Sequence, residues 1–397
     1  MKRAAGVYRF VAIAGLNTLV ILLVVEGLAA GANAVISMRN APDTSRWAAR
    51  QDRQNVEYYA SRPWIAPMWR EWEEAGRLDQ YEPYLIFKPS PYQGRFVNVA
   101  ADGRRVTPGS ICPDSGFRIY LFGGSAVFGL WQPDSVTIAA LLQQALRDRN
   151  VPACVENYGA NAYVSTQELI SLEQALQRQP PPALVLWHDG WNDASIMHET
   201  GVPGAHTNLS VVTQRLRQRH EGWRHAAGTF IRSTNSYRFA RWWKGRSAGA
   251  TAVAAQDPPS PPDPAKVDAV LHTYAENLRM ARALSREYGF RFHAFWQPTL
   301  IHSGKTPSAI EARFVSRLRD NAPLIDSVYA RIQREAASLP DFTYLGSVFD
   351  SVPTTTYIDL THLTPDGNAI VVQRMILEIE RRGLVRMLPS RGPPRRE

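Results

Sequence analysis

Residues 117–129 read FRIYLFGGSAVFG. Apart from Arg118 the first six are apolar and mostly aromatic or branched, the pattern of a strand buried on both faces. Gly123 and Gly124 then let the backbone turn sharply. Ser125 therefore stands at the carboxyl end of a buried strand, where open α/β sheets place their ligands. Two familiar motifs are excluded. The second residue after Ser125 is Val127, so this is not the G-x-S-x-G elbow of α/β-hydrolases. Leu130 follows Gly129 where a phosphate-binding loop needs Lys. Taken alone, Ser125 reads equally as the cap of an ordinary strand-to-helix turn.

Outward from this segment, strands and helices alternate. The pattern predicts a helix over 136–149, a strand over 153–157 and a helix over 165–178 closed by Pro180-Pro181-Pro182. A strand follows at ALVLWH (183–188), then a long helix over 267–288 and a strand over 290–296. Residues 310–337 read as helical, 342–345 as a short strand and 365–382 as the last helix. Repeated β-α units imply α/β architecture, a parallel sheet covered on both faces. Residues 195–264 break the rhythm with a Gly-rich loop, a basic stretch and DPPSPPDP (257–264), and read as an insertion. Upstream, 37–80 reads as short helices rich in Trp, and 81–108 as short strands with a turn at Asp102-Gly103.

Two further clusters carry chemistry. Gly190-Trp191-Asn192-Asp193 follows the third strand, and the Asn192 amide could donate to a developing oxyanion. The competing reading is an Asx-turn. Near the C-terminus, Asp359 and His362 are three apart, a spacing that puts both on one side of a helical turn. An Asp beside a His can fix its tautomer and stabilise the imidazolium. A capping segment for the helix at Pro365 explains the same residues.

Together the blocks resemble the SGNH/GDSL hydrolase family, in the form of a membrane-anchored bacterial member. Gly123-Gly124-Ser125 stands where the family has G-D-S, with Gly in place of its Asp. Gly190-Trp191-Asn192-Asp193 and Asp359-Leu360-Thr361-His362 match G-x-N-D and D-x-x-H. The second block falls in NYGANAYVSTQEL (157–169), where the family's N-x-x-x-x-G spacing aligns Ala162 with an oxyanion-hole Gly, and Gly159 lies earlier. The resemblance covers 116–383 minus the insertion. It implies a flavodoxin-like three-layer α/β/α sandwich with strand order 2-1-3-4-5. It implies Ser125, Asp359 and His362 as catalytic residues and Ser125, Ala162 and Asn192 as the oxyanion hole, with no metal or organic cofactor. The implied activity is a serine esterase acting on O-acyl groups, by analogy those of cell-envelope glycans or exopolysaccharide. An O-acyltransferase with the same triad, a lipid esterase and a non-catalytic glycan-binding protein are the alternatives.

Composition sets the setting. The chain has 397 residues, 45% apolar and 20% charged, so wholesale disorder is excluded. There are no repeats or coiled-coil heptads, and two cysteines exclude a cysteine-rich scaffold or a four-cysteine zinc site. Lys2, Arg3 and Arg9 precede the uncharged run Phe10–Val25, and the 20 residues from Gly6 to Val25 match a bilayer span. The basic flank predicts a single pass through the cytoplasmic membrane, with everything after 36 outside the cytoplasm. The A-x-A pattern Ala32-Asn33-Ala34 also fits a signal peptide cleaved after Ala34. The expected organisation is an anchor at 1–36, a lead-in at 37–115, the hydrolase domain at 116–383 and a basic tail at 384–397. Residues 215–246 of the insertion hold Arg215, Arg217, Arg219, Arg224, Arg232, Arg238, Arg241, Lys244 and Arg246 against Glu221 alone. A solvated helix face with buried aromatics is the plain reading; a surface for anionic lipid or acidic polysaccharide is the sharper one. Nucleic acid is not expected as a partner. In the 2-1-3-4-5 order the first two strands are neighbours, which lets Cys112 and Cys154 approach to bonding distance.

Overall fold

The computed structural model describes residues 2–39, 52–60, 62–75, 79–112, 116–220, 228, 230–249, 262–317 and 322–385. Trp47, Glu221, Trp223, Arg224, the Pro-rich run up to 261 and the tail from 386 lie outside them, as do the Arg219 and Arg246 side chains. The chain forms two compact units. One is Met1–Ala48 with Val211–Pro258, the other Ala49–Ser210 with Pro259–Glu397.

The first unit contains the helix Lys2–Arg39, whose stretch Gly6–Ile36 is long and apolar enough to cross a membrane. It also holds most of the helix Leu209–His220 and the helix Asn235–Gly249.

In the second unit the lead-in forms β1 (Asp79–Glu82), β2 (Ile86–Pro89), β3 (Tyr92–Gln93) and β4 (Asn98–Val99). The first two pair antiparallel, as do the next two. The turn at Asp102-Gly103 forms as expected, with Gly103 at φ +89° donating to the Ala100 carbonyl. The main sheet consists of β5 (Phe117–Gly123), β6 (Ala153–Asn157), β7 (Leu184–Asp189), β8 (Arg291–Trp296) and β9 (Phe342–Tyr344). All neighbours are parallel and the order is β6-β5-β7-β8-β9, the 2-1-3-4-5 arrangement.

Alternation along the strands makes this sheet the middle of three layers. Ile119, Leu121, Leu184 and Leu186 face one core, formed with helices Ile138–Asp148 and Pro365–Arg381. Tyr120, Phe122, Val185 and Trp187 face the other, formed with Ser165–Arg178, Pro264–Tyr288 and Ala322–Glu335. The lead-in is part of the first core: Tyr59, Met68, Trp69 and Trp72 are buried in it. The Arg105 backbone bridges both Val99 and Asn157 antiparallel, so the lead-in also covers the β6 edge.

Local chemistry moves several expected boundaries. Asp263 caps the long helix by accepting from Ala265 N–H, and Pro264 occupies its first turn, so the helix starts three residues before Val267. Residues 310–337 hold two helices, Ala309–Arg317 and Ala322–Glu335, and a 3₁₀ turn at Ala336–Ser338. The helix Trp191–Thr200 runs through 195, where the sequence suggests an insertion begins, and the first unit takes only Val211–Pro258.

Cys112 and Cys154 form a disulfide, with Cα atoms 5.3 Å apart. It closes a loop over 42 residues of sequence separation. Constraint of the unfolded chain by such a loop is worth about 4 kcal/mol. Denatured, unreduced protein should show no free thiol. Cys112→Ser with Cys154→Ser should lower stability in urea by up to about that amount; wild-type stability in this double variant would mean that the bridge restrains little.

Candidate active site

β5 ends at Gly123, and the short helix Ser125–Phe128 begins directly after Gly124. Neither glycine has room for a side chain. A Cβ at Gly123 would lie 2.4 Å from the His188 carbonyl oxygen, and one at Gly124 2.3 Å from Asn192 Nδ2. The missing Cβ atoms thus let the Ser125 turn sit against the end of β7 and the Asn192 amide. Asn192 lies in the first turn of Trp191–Thr200, whose cap Gly190 has φ +119° and packs on Trp296. One Asn192 Nδ2–H donates to the Tyr163 carbonyl at 2.7 Å. The amide has a second N–H to offer.

Asp359 and His362 come together through a loop, which corrects the helical turn suggested by their spacing. A bridge between Tyr357 and Leu363 closes the loop, and Ile358 N–H donates to the His362 carbonyl. Asp359 Oδ1 accepts from Thr361 N–H at 3.0 Å and His362 N–H at 2.8 Å, an Asx-type turn. The same carboxylate meets His362 Nδ1 at 2.8 Å, and His362 Nε2 lies 2.7 Å from Ser125 Oγ. A carboxylate can only accept, so Nδ1 carries the proton and Nε2 presents its lone pair to the serine hydroxyl. Burial pushes the Asp359 carboxyl upward, but His362 and the two N–H donors outweigh it and hold it below its ordinary value.

The second block resolves around two residues. Gly159 packs on backbone: a Cβ there would lie 2.4 Å from Phe128 N. Ala162 has φ +57°, the left-handed conformation that favours glycine. The position aligned with the family's glycine thus keeps a glycine-like backbone while carrying a methyl group. The loop is held just beyond Ala162. Tyr163 O–H donates to the Phe87 carbonyl at 2.6 Å, and Asp193 accepts from Ser165 Oγ at 2.5 Å and from Ser165 N–H.

Several site residues escaped the sequence reading. Trp131, itself at φ +62°, sets its ring edge-on to His362 at 5.1 Å, and the Arg53 guanidinium lies 3.9 Å over the same indole. Gln132 Nε2 donates to the Leu363 carbonyl at 2.6 Å, tying the serine loop to the histidine loop. From the end of β8, Gln297 Nε2 donates to Thr361 Oγ1 at 2.5 Å. The loop before Asp359 is held by Glu311, which accepts from Thr356 and Tyr357 N–H and pairs with buried Lys305 at 3.3 Å. A positive φ at a tryptophan has no sequence signal, and isolated glutamines in loops have none either.

Behind the loop that carries Ala162 lie three buried carboxyls, Glu168, Asp189 and Asp193. Tyr274 O–H donates to Asp189 at 2.7 Å. Burial, then repulsion from Asp189 and Asp193, keeps Glu168 protonated well above the ordinary range. Burial and Asp193 do the same to Asp189, and burial raises Asp193 to about 6 despite its bonds from Ser165.

No family model matches the sequence, and no curated protein matches it. In structure the chain is similar to a lipolytic protein of the G-D-S-L family from Veillonella parvula, at 11% identity and TM-score 0.36, over 66% of this chain and 98% of that one. It is also similar to the acetyl xylan esterase AlAXEase, at 12% identity and TM-score 0.37, over 66% and 99%. A third is a carbohydrate acetylesterase family member from Sinorhizobium meliloti, at 15% identity and TM-score 0.35, over 67% and 98%.

Two outcomes follow. Carboxyls with raised folded-state values stabilise fully at low pH and lose that contribution as pH rises through those values. This cluster should therefore lower thermal stability as pH rises above the ordinary carboxyl range, the Asp193 part being gone by about 6, against the opposite trend from His188 and His293, whose values burial lowers to about 4 and about 3; Glu168→Gln should remove part of the acid-side contribution. A Glu168→Gln protein whose melting temperature follows pH as the wild type's does would contradict the raised Glu168 value. Ala162→Gly should raise stability by about 1 kcal/mol or less in urea titration, because relief of the left-handed alanine exceeds the entropy cost of glycine.

Proposed function

We propose that the chain is a serine ester hydrolase of the SGNH type, working outside the cytoplasm on a membrane anchor. The observation that carries this reading is the relay from Asp359 through His362 to Ser125, with hydrogen bonds of 2.8 and 2.7 Å.

The geometry supplies each step of acyl transfer. Ser125 Oγ attacks the ester carbonyl carbon while His362 Nε2 takes its proton. Asp359, kept ionised, stabilises the imidazolium and fixes its tautomer. The carbonyl oxygen becomes an oxyanion as the tetrahedral intermediate forms. Its donors are the N–H groups of Ser125 and Ala162 and the free N–H of the Asn192 amide. His362 then returns the proton to the leaving alcohol. Water repeats the cycle on the acyl-enzyme, with His362 as base.

The Gly6–Ile36 helix and its basic flank support an anchor with residues 37–397 outside. The Cys112–Cys154 bridge supports the same compartment, since disulfides persist where the environment is oxidising. O-acyl groups on envelope glycans or exopolysaccharide are the substrates this location favours.

Turnover of a generic acetyl ester tests the reading. Ser125→Ala and His362→Ala should each remove nearly all of it, and the double variant should lose little more. Asn192→Ala should lower kcat by about 10²–10³, roughly 3–4 kcal/mol, with KM changed much less, because its amide acts on charge that exists only in the transition state. A folded Asn192→Ala protein with wild-type kcat would remove Asn192 from the oxyanion hole.

A further inference from the structure

Glu26 is the one acid within the apolar stretch of the N-terminal helix and closes its uncharged run. The 20 residues from Gly6 to Val25 rise about 30 Å as a helix, the thickness of a hydrocarbon core. Glu26 then sits where hydrocarbon gives way to headgroups. An ionisable side chain at that depth needs partners.

It finds them far along the chain, within the same compact unit. The Glu26 carboxylate accepts from Asn235 N–H, from Ser236 N–H at 3.0 Å and from Ser236 Oγ at 2.7 Å. These backbone donors open the helix Asn235–Gly249 and have no partner inside it. A carboxylate also suits the positive end of the helix dipole. Asn33, two turns beyond Glu26 on the same face, donates to the Asn235 carbonyl at 2.9 Å. Coverage of the anchor begins at this clasp. Glu26, Ala29, Ala30, Ala32, Asn33 and Ile36 are buried or half-buried, whereas Leu16 to Val25 are exposed.

The clasped segment is basic and aromatic. Arg238, Arg241 and Lys244 are exposed at three-residue spacing, on one broad side of the helix. Trp243 is 61% exposed beside Phe239 and Trp242, and Phe230, just ahead of the helix, is 73% exposed. Cations near a bilayer surface are drawn to acidic lipids, and Trp favours the interface.

We propose that residues 230–244 form a collar that binds anionic phospholipid headgroups, clasped to the anchor by Glu26. Arg238, Arg241 and Lys244 meet lipid phosphates, Trp243 lies at the interface and Phe230 reaches toward the acyl chains. The inference rests on the retained-anchor reading of the N-terminal helix.

Hydrogen exchange on the full chain in nanodiscs tests it, using phosphatidylcholine alone and phosphatidylcholine with 30% phosphatidylglycerol. Amides of 235–249 should gain at least threefold protection in the anionic discs. Arg238→Glu with Arg241→Glu and Lys244→Glu should lose that gain while keeping turnover of a soluble ester. Glu26→Gln should speed exchange of 235–249 in both discs. Equal protection in the two discs, or the same gain from soluble polygalacturonate added to neutral discs, overturns the collar in favour of a solvated face or a glycan surface. Alkaline carbonate extraction separates the failures: a chain that washes off membranes sinks the anchor and the collar together, and one that stays without lipid dependence sinks the collar alone.

Discussion

One buried amide joins the parts of the site. The Gln132 side chain donates to the Leu363 carbonyl, just after His362, and accepts from Asn368 of the last helix at 2.6 Å. Its backbone carbonyl accepts from Arg105 at 2.8 Å and from Trp72 at 3.2 Å, both in the lead-in. The serine loop, the histidine loop, the last helix and the lead-in therefore converge on a single residue that is 2% exposed. This convergence backs the 2.7 Å contact between Ser125 and His362, which joins two loops. Charge reinforces it. Arg105, fully buried, pairs with Asp134 at 2.5 Å, and Asp134 also holds Asn98 of β4. Breaking such a pair on one side leaves an unpaired buried charge.

The side of the site around Ala162 and Asn192 follows a different logic, backbone geometry held by buried acids. Gly123, Gly124, Gly159 and Gly190 stand where side chains would strike neighbouring atoms. Ala162 accepts a left-handed backbone within a loop fixed by Tyr163 and Ser165. Asp193 serves both ends of this arrangement. It follows Asn192 in sequence and holds Ser165 in space, so the amide donor and the loop are positioned by adjacent residues.

The sheet was legible because its strands are continuous apolar runs bounded by Gly, Pro and polar clusters. The Ser125, Asn192 and Asp359/His362 blocks were legible because a parallel sheet delivers such loops to one edge. Ala162 could be aligned from spacing, but its left-handed φ depends on tertiary restraints from Phe87 and Asp193. The Asx-type turn at Asp359 shares its i,i+3 spacing with a helix, so spacing could not tell them apart. Gln132, Gln297, Arg53 and Trp131 act through contacts with segments remote in sequence, where no local pattern marks them. The lead-in read only as short helices and strands, because nothing in them signals that Trp72 and Arg105 complete the serine loop.

The long reach of these contacts governs when the site comes into being. Ser125 and His362 are separated by 237 positions and Gln132 and Leu363 by 231. Loop closure on that scale comes late, since its entropy must be lost before the contacts reward it. The lead-in is made before the rest of the junction, yet the Gln132 contacts that it joins are complete only once Leu363 and Asn368 have followed. Local secondary structure can therefore form before Ser125 and His362 meet. The contact between Ser125 and His362 thus forms only once nearly the whole chain has been made.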